Sequence, residues 1–213
     1  MRLEELHSHV WRGKSAYSAH PVIPTGFTSL DHHLPGGGWP HRSVTEVFLD
    51  HYGIGELALL IPALTSLTRQ AETTEKKWIV WVAPPFIPYA PALKQHGIKI
   101  DRLLFVHPST GVKNCLWAVE QAARSGSSAA VLAWVSAASG VALRRLQIAS
   151  EKQCCWTVLF RPLGALQHRS PAALRIRLSH ENSVTRVRIL KSRGGRPAVV
   201  DLSREQLDSR ESE

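Results

Sequence analysis

Cysteine is scarce in this 213-residue sequence, and its placement excludes more than its number does. Cys115, Cys154 and Cys155 offer no C-x-x-C spacing, and two adjacent thiols do not easily clasp a metal or close a stabilising bridge. A reducing cytoplasm is therefore the expected compartment. Long apolar runs are also missing, since none approaches the roughly eighteen residues that a membrane span requires. The charged start Met1-Arg2-Leu3-Glu4-Glu5 differs from a secretory leader, which again points to a soluble cytoplasmic protein. Acidic residues are too few to balance the basic ones, and the formal charge is +9. Such an excess favours polyanions, because each phosphate neutralised releases a condensed counterion, although many small proteins are basic with no nucleic-acid role. With 44% hydrophobic residues the chain can fill one ordinary domain, and little is left for a second.

Apolar, β-branched runs at Val44–Leu49, Trp78–Val82, Leu103–Val106, Ala129–Val135 and Thr157–Phe160 are expected strands. Between them, Leu57, Leu60, Ile61, Leu64 and Leu67 recur at helical spacing, as do Val112, Leu116, Val119 and Ala123. Strand alternating with helix predicts an α/β fold, a mostly parallel central sheet flanked by helices. Beyond Phe160, Leu174–Leu178 and Thr185–Ile189 alternate polar with apolar, which predicts antiparallel strands that hold arginines toward solvent. A flexible basic loop is expected over Lys191–Arg196. The domain is expected over residues 21–203, preceded by a helical arm over 1–20 and followed by a disordered polar tail over 204–213.

Two segments carry the functional reading. Ile23-Pro24-Thr25-Gly26-Phe27, Leu30-Asp31 and Leu34-Pro35-Gly36-Gly37-Gly38-Trp39-Pro40, followed by the strand Val44-Thr45-Glu46-Val47, resemble the lead-in to a RecA core. After that strand a phosphate-binding loop should read G-x-x-x-x-G-K-S/T. Its glycines turn backbone N–H groups toward phosphate, its lysine neutralises the β and γ charges, and its hydroxyl holds magnesium. This chain reads Asp50-His51-Tyr52-Gly53-Ile54-Gly55-Glu56-Leu57. Glu56 and Leu57 replace lysine and hydroxyl, while Gly53 and Gly55 can still turn the chain into a helix whose positive end suits Glu56. The metal-holding acid expected at the end of a buried strand is also missing, where Ala133-Trp134-Val135-Ser136 stands instead. A degenerate loop on a non-catalytic scaffold is the expectation, with no cofactor and no metal.

The chain resembles the ImuA family through this lead-in, through Trp11-Arg12-Gly13, Gly53-Ile54-Gly55-Glu56-Leu57 and Leu190-Lys191-Ser192-Arg193-Gly194-Gly195-Arg196-Pro197. It is similar over a shorter stretch, Val44 to Leu163, to the cell-division inhibitor SulA. The ImuA resemblance implies a DNA-damage-induced accessory protein of error-prone translesion synthesis. Its implied partners are an inactive Y-family polymerase-like protein, ImuB, and a replicative-type error-prone polymerase. The SulA resemblance implies an inhibitor of the tubulin-like septal GTPase. Candidate partner-binding residues are Leu6, Val10 and Trp11 of the arm. Candidate DNA-binding residues are Arg175, Arg177, Arg186, Arg188, Lys191, Arg193 and Arg196, for which a solvated charged face is the simpler explanation. DNA, RecA and a second copy of the chain complete the candidate partners. His32-His33 and His7-Ser8-His9 lack the accompanying ligands a metal needs, and no G-x-S-x-G elbow is present.

Overall fold

The computed structural model describes residues 21–70, 77–109, 111–181 and 184–203. The expected arm and tail, and with them Leu6, Val10 and Trp11, lie outside the described residues.

The lead-in folds as a small unit of its own. Strands β1 (Val22–Ile23) and β2 (Trp39–Pro40) pair antiparallel around the short helix α1 (Thr28–Asp31). Thr25 organises the turn between them: its N–H donates to Asp31 Oδ1 at 3.0 Å, and its hydroxyl oxygen accepts the N–H of Phe27, also at 3.0 Å. Gly38 is required by close approach, because a Cβ there would stand 2.4 Å from the carbonyl oxygen of Ile23. Gly36 meets the other demand on glycine, a φ of +78°.

β3 (Val44–Leu49), β4 (Trp78–Val82) and β5 (Leu103–Val106) have the bounds expected from their composition. β6 (Ser128–Trp134) starts and ends one residue earlier than expected, and β7 (Trp156–Pro162) is longer at both ends. With β8 (Leu174–Glu181), β9 (Val184–Ser192) and β10 (Ala198–Ser203) they form one sheet in the order β10-β9-β8-β3-β7-β6-β4-β5. The pairs from β8 to β5 are parallel, and β8-β9 and β9-β10 are antiparallel. All six residues of β3 are buried, as befits a strand covered on both faces.

α2 (Glu56–Gln70) packs Leu59, Leu60, Ala63, Leu64 and Leu67 on one face of the sheet, together with the lead-in and α3 (Ala90–Gln95). α4 (Val112–Arg124) and α5 (Gly140–Gln153) cover the other face through Cys115, Val119, Ala123, Leu143, Leu146 and Ala149. α5 starts behind Ser139, whose Oγ accepts the N–H of Ala142 at 3.2 Å. β10 was not expected from the sequence. The basic segment before it is a tight turn, Gly195 N–H donating to the Ser192 carbonyl at 3.1 Å, that leads into six residue pairs between β10 and β9.

All three cysteines are free thiols. Cys155 starts at the floor of the core, and burial pushes its pKa up to about 12. At pH 8 its thiolate is then about one part in ten thousand, so alkylation should be negligible. Burial raises Cys115 too. Iodoacetamide on the folded protein should therefore modify Cys154 alone, which is half-buried at the C-terminal cap of α5. Peptide mass mapping that finds Cys155 modified at a comparable rate would contradict this packing.

Candidate functional site

The loop after β3 reaches α2 through two residues that only glycine accommodates easily, Gly53 at φ +88° and Gly55 at φ +100°. Glu56 opens the helix and folds back over the turn. Both its carboxylate oxygens accept the N–H of Gly53, Oε1 at 2.9 Å and Oε2 at 3.0 Å, and its side chain is buried. A backbone N–H that could face an anionic ligand is thus engaged by an anion of the chain itself, held at the positive end of α2. The charge of Glu56, after burial, pushes the Tyr52 phenol above its ordinary pKa. Leu57 packs against the core, and Asp50 reaches Arg177 Nη2 at 3.4 Å.

Above the loop lies a cleft of about 270 Å³ whose walls are Trp81, Trp134 and the proline-rich segment Pro84, Pro85, Phe86 and Pro88. Among the described residues, Glu56 is the only charged one in its lining. The end of β6 is filled by Trp134, which stacks on Phe160 at 4.6 Å and tilts toward Trp81 at 5.7 Å. The crevice presents apolar rings and one carboxylate, whose charge would repel a triphosphate.

The candidate DNA-binding residues share less than their spacing suggests. Arg175 does not face solvent as expected: its Nε donates to the buried Glu46 at 3.0 Å, its Nη2 to the Leu166 carbonyl, and its guanidinium carbon lies 4.8 Å from the Phe48 ring centre. β8 and β9 put Arg177 opposite Arg188 and Ser179 opposite Arg186. A register shift between Arg175 and Ile176 then turns Lys191 to the same face as Arg175. Arg186 forms a two-pronged pair with Asp201, at 2.7 and 2.8 Å, and Lys191 donates to the Ser170 carbonyl. Arg193 sits past the strand, 3.4 Å from Glu151. Arg188 and Arg196 are exposed and have no ion pair among the described residues.

Sequence reasoning missed the ionic centre of the sheet. Glu46 of β3 is fully buried and accepts from Arg161 of β7 at 2.5 Å as well as from Arg175 of β8. The available signal was a lone carboxylate inside the apolar run Val44–Leu49 and an arginine continuing the run Thr157–Phe160, because neither charge can stay buried unpaired. What fold and loop define together is an α/β domain whose loop-to-helix crevice is closed by its own carboxylate. No family model and no curated protein matches the chain.

Proposed function

We propose that this chain is a RecA-like scaffold without nucleotide chemistry, serving as an accessory protein of damage-induced, error-prone translesion synthesis. In this reading it is an adaptor of the ImuA kind, joining a polymerase-like partner of the ImuB type to a replicative-type error-prone polymerase. The observation that carries the non-catalytic half is Glu56 closed onto the Gly53 N–H, at the step of the loop where a lysine would meet phosphate. Calorimetric titration with MgATP should give no heat of binding, and the full chain should release no phosphate from it. Saturable tight binding would remove the non-catalytic half of the proposal.

The adaptor half is supported by exposed apolar side chains on the segment after β4. Phe86 is 69% exposed, Ile87 91% and Tyr89 73%, on a backbone stiffened by Pro84, Pro85 and Pro88. Clustered apolar exposure of this kind marks interaction surfaces more often than scattered single residues do. Replacing Phe86 and Ile87 by serine should leave stability within about 0.5 kcal/mol, as surface changes do. The same double variant should weaken capture of the ImuB-type partner by about tenfold or more, the size of a lost anchor. Undiminished capture would move the docking surface elsewhere. Filamentation of cells overexpressing the chain, with no capture of the polymerase-like partner, would favour the division-inhibitor alternative.

A further inference from the structure

The sheet has a second crevice at the carboxyl ends of its strands, on the opposite face from α2, and its chemistry is the reverse of the first. It holds about 540 Å³ between the N-terminal ends of α4 and α5 and the end of β7. Lys113 and Ser139 stand in its lining at the starts of the two helices, Arg161 lies at its base, and His168 closes one side. Among the described residues, no carboxylate lines it. Both helices turn their positive ends toward the space, and Lys113 is exposed.

Arg161 is what makes the crevice more than a helix-end feature. The residue is 1% exposed, its Nη1 is engaged by Glu46, and its Nε is buried with no hydrogen-bond partner. Glu46 already serves Arg175, so two guanidinium groups share one carboxylate and the buried trio carries one uncompensated positive charge. Arg175 has other relief, in the Leu166 carbonyl and the Phe48 ring. Arg161 has only the same ring at the longer distance of 6.0 Å, with its Nε unpartnered, and a buried donor with surplus charge calls for a counter-group. The remaining walls include Val112, Leu116, Ala138 and Ala165, which are apolar.

We propose that this crevice binds a monocarboxylate attached to an apolar body, the carboxylate pairing with the free edge of Arg161 and the body resting on Leu116, Ala138 and Ala165. The one surplus charge buried around Arg161 pairs with one carboxylate, whose fork matches a guanidinium edge, and the exposed Lys113 at the start of α4 adds a weaker, screened attraction. Inorganic phosphate has no apolar body to cover Leu116, Ala138 and Ala165. The carboxylate comes from a free organic acid or from a peptide, and the two sources differ in size. This site is independent of the proposed adaptor role.

The test is a nuclear magnetic resonance titration of the full chain that follows the Arg161 Nε–H and the backbone N–H signals of Lys113 and Gly140. The probes are hexanoate, hexanamide, inorganic phosphate, and an N-acetylated apolar tripeptide as its free acid and its C-terminal amide. Hexanoate or the tripeptide acid should shift these signals saturably, whereas hexanamide and the tripeptide amide should not. Tighter binding of the tripeptide acid assigns the site to peptides, and tighter binding of hexanoate to small acids. Because Arg161 variants disturb Glu46, the diagnostic variant is Lys113→Glu, an exposed change that should keep the melting temperature and weaken carboxylate binding by about tenfold. The proposal fails if neither acid shifts the signals, if the amides shift them equally, if phosphate alone does so, or if Lys113→Glu binds as the unaltered chain does.

Discussion

Glu46→Ala should cost about 3–5 kcal/mol of folding stability, the range found when one partner of a buried ion pair is removed. The reason lies in what remains. Arg161 and Arg175 would keep their positions in β7 and β8, buried to 1% and 13% side-chain exposure, with no carboxylate between them. Two like charges in low dielectric repel and have lost their water, and neither can neutralise itself, because guanidinium does not deprotonate in proteins. Against a total stability of about 5–15 kcal/mol such a loss approaches global unfolding. Urea denaturation of Glu46→Ala is the measurement. A midpoint equivalent to less than about 1 kcal/mol of change would mean that water, rather than Glu46, satisfies the arginines. A triple replacement of Glu46, Arg161 and Arg175 by apolar residues of similar volume should be far milder than the single one, since it leaves no unpaired charge.

Trp156→Ala is the second large effect, again about 3–5 kcal/mol, the usual range for deleting a buried tryptophan. Trp156 is fully buried, stacks on Trp39 at 5.6 Å between ring centres, and donates its indole N–H to Thr45 Oγ1 at 3.1 Å. Truncation would open a cavity and strand the Thr45 hydroxyl. It would also undo the joint between two parts of the chain, because Trp39 belongs to the lead-in and Trp156 to the sheet. Local release should accompany the global loss. Hydrogen exchange of the Trp39 and Ile23 amides, paired across β1 and β2, should accelerate more than that of β4 or β6. Uniform acceleration across the sheet would mean that the lead-in is anchored by Phe27, Leu30 and Leu34 without the indole stack.

Most of the sheet was readable because its strands are locally marked. Val44–Leu49, Trp78–Val82 and Leu103–Val106 are short apolar runs dense in β-branched and aromatic side chains, and each became a strand with those bounds. The alternation in Leu174–Leu178 and Thr185–Ile189 identified β8 and β9 as antiparallel, though both strands run longer. β10 escaped because Ala198–Ser203 is a short run directly after a glycine-rich turn, although Ala198, Val199, Val200 and Leu202 are apolar. The arginine-bearing strands were read as facing solvent on one side. That holds for Arg186 and Arg188 and fails for Arg175, which Glu46 and the Leu166 carbonyl hold in place.

By itself the sequence determined what depends on near neighbours. Glycines at 53 and 55, a glutamate at 56 and tryptophan at the end of a buried strand can all be read from a few adjacent residues, and so can the period of each element. Only the tertiary structure decided which charges meet. Glu46 and Arg161 are 115 positions apart, and Glu46 and Arg175 are 129 apart, so their union depends on strand order and register. A one-residue slip would send either arginine to the opposite face. The same holds for the two crevices: the order of strands placed a self-closed acidic turn on one face and an unsatisfied arginine on the other. Periodicity specifies a face for each strand, but the energy of a buried charge depends on the partner that folding brings to it.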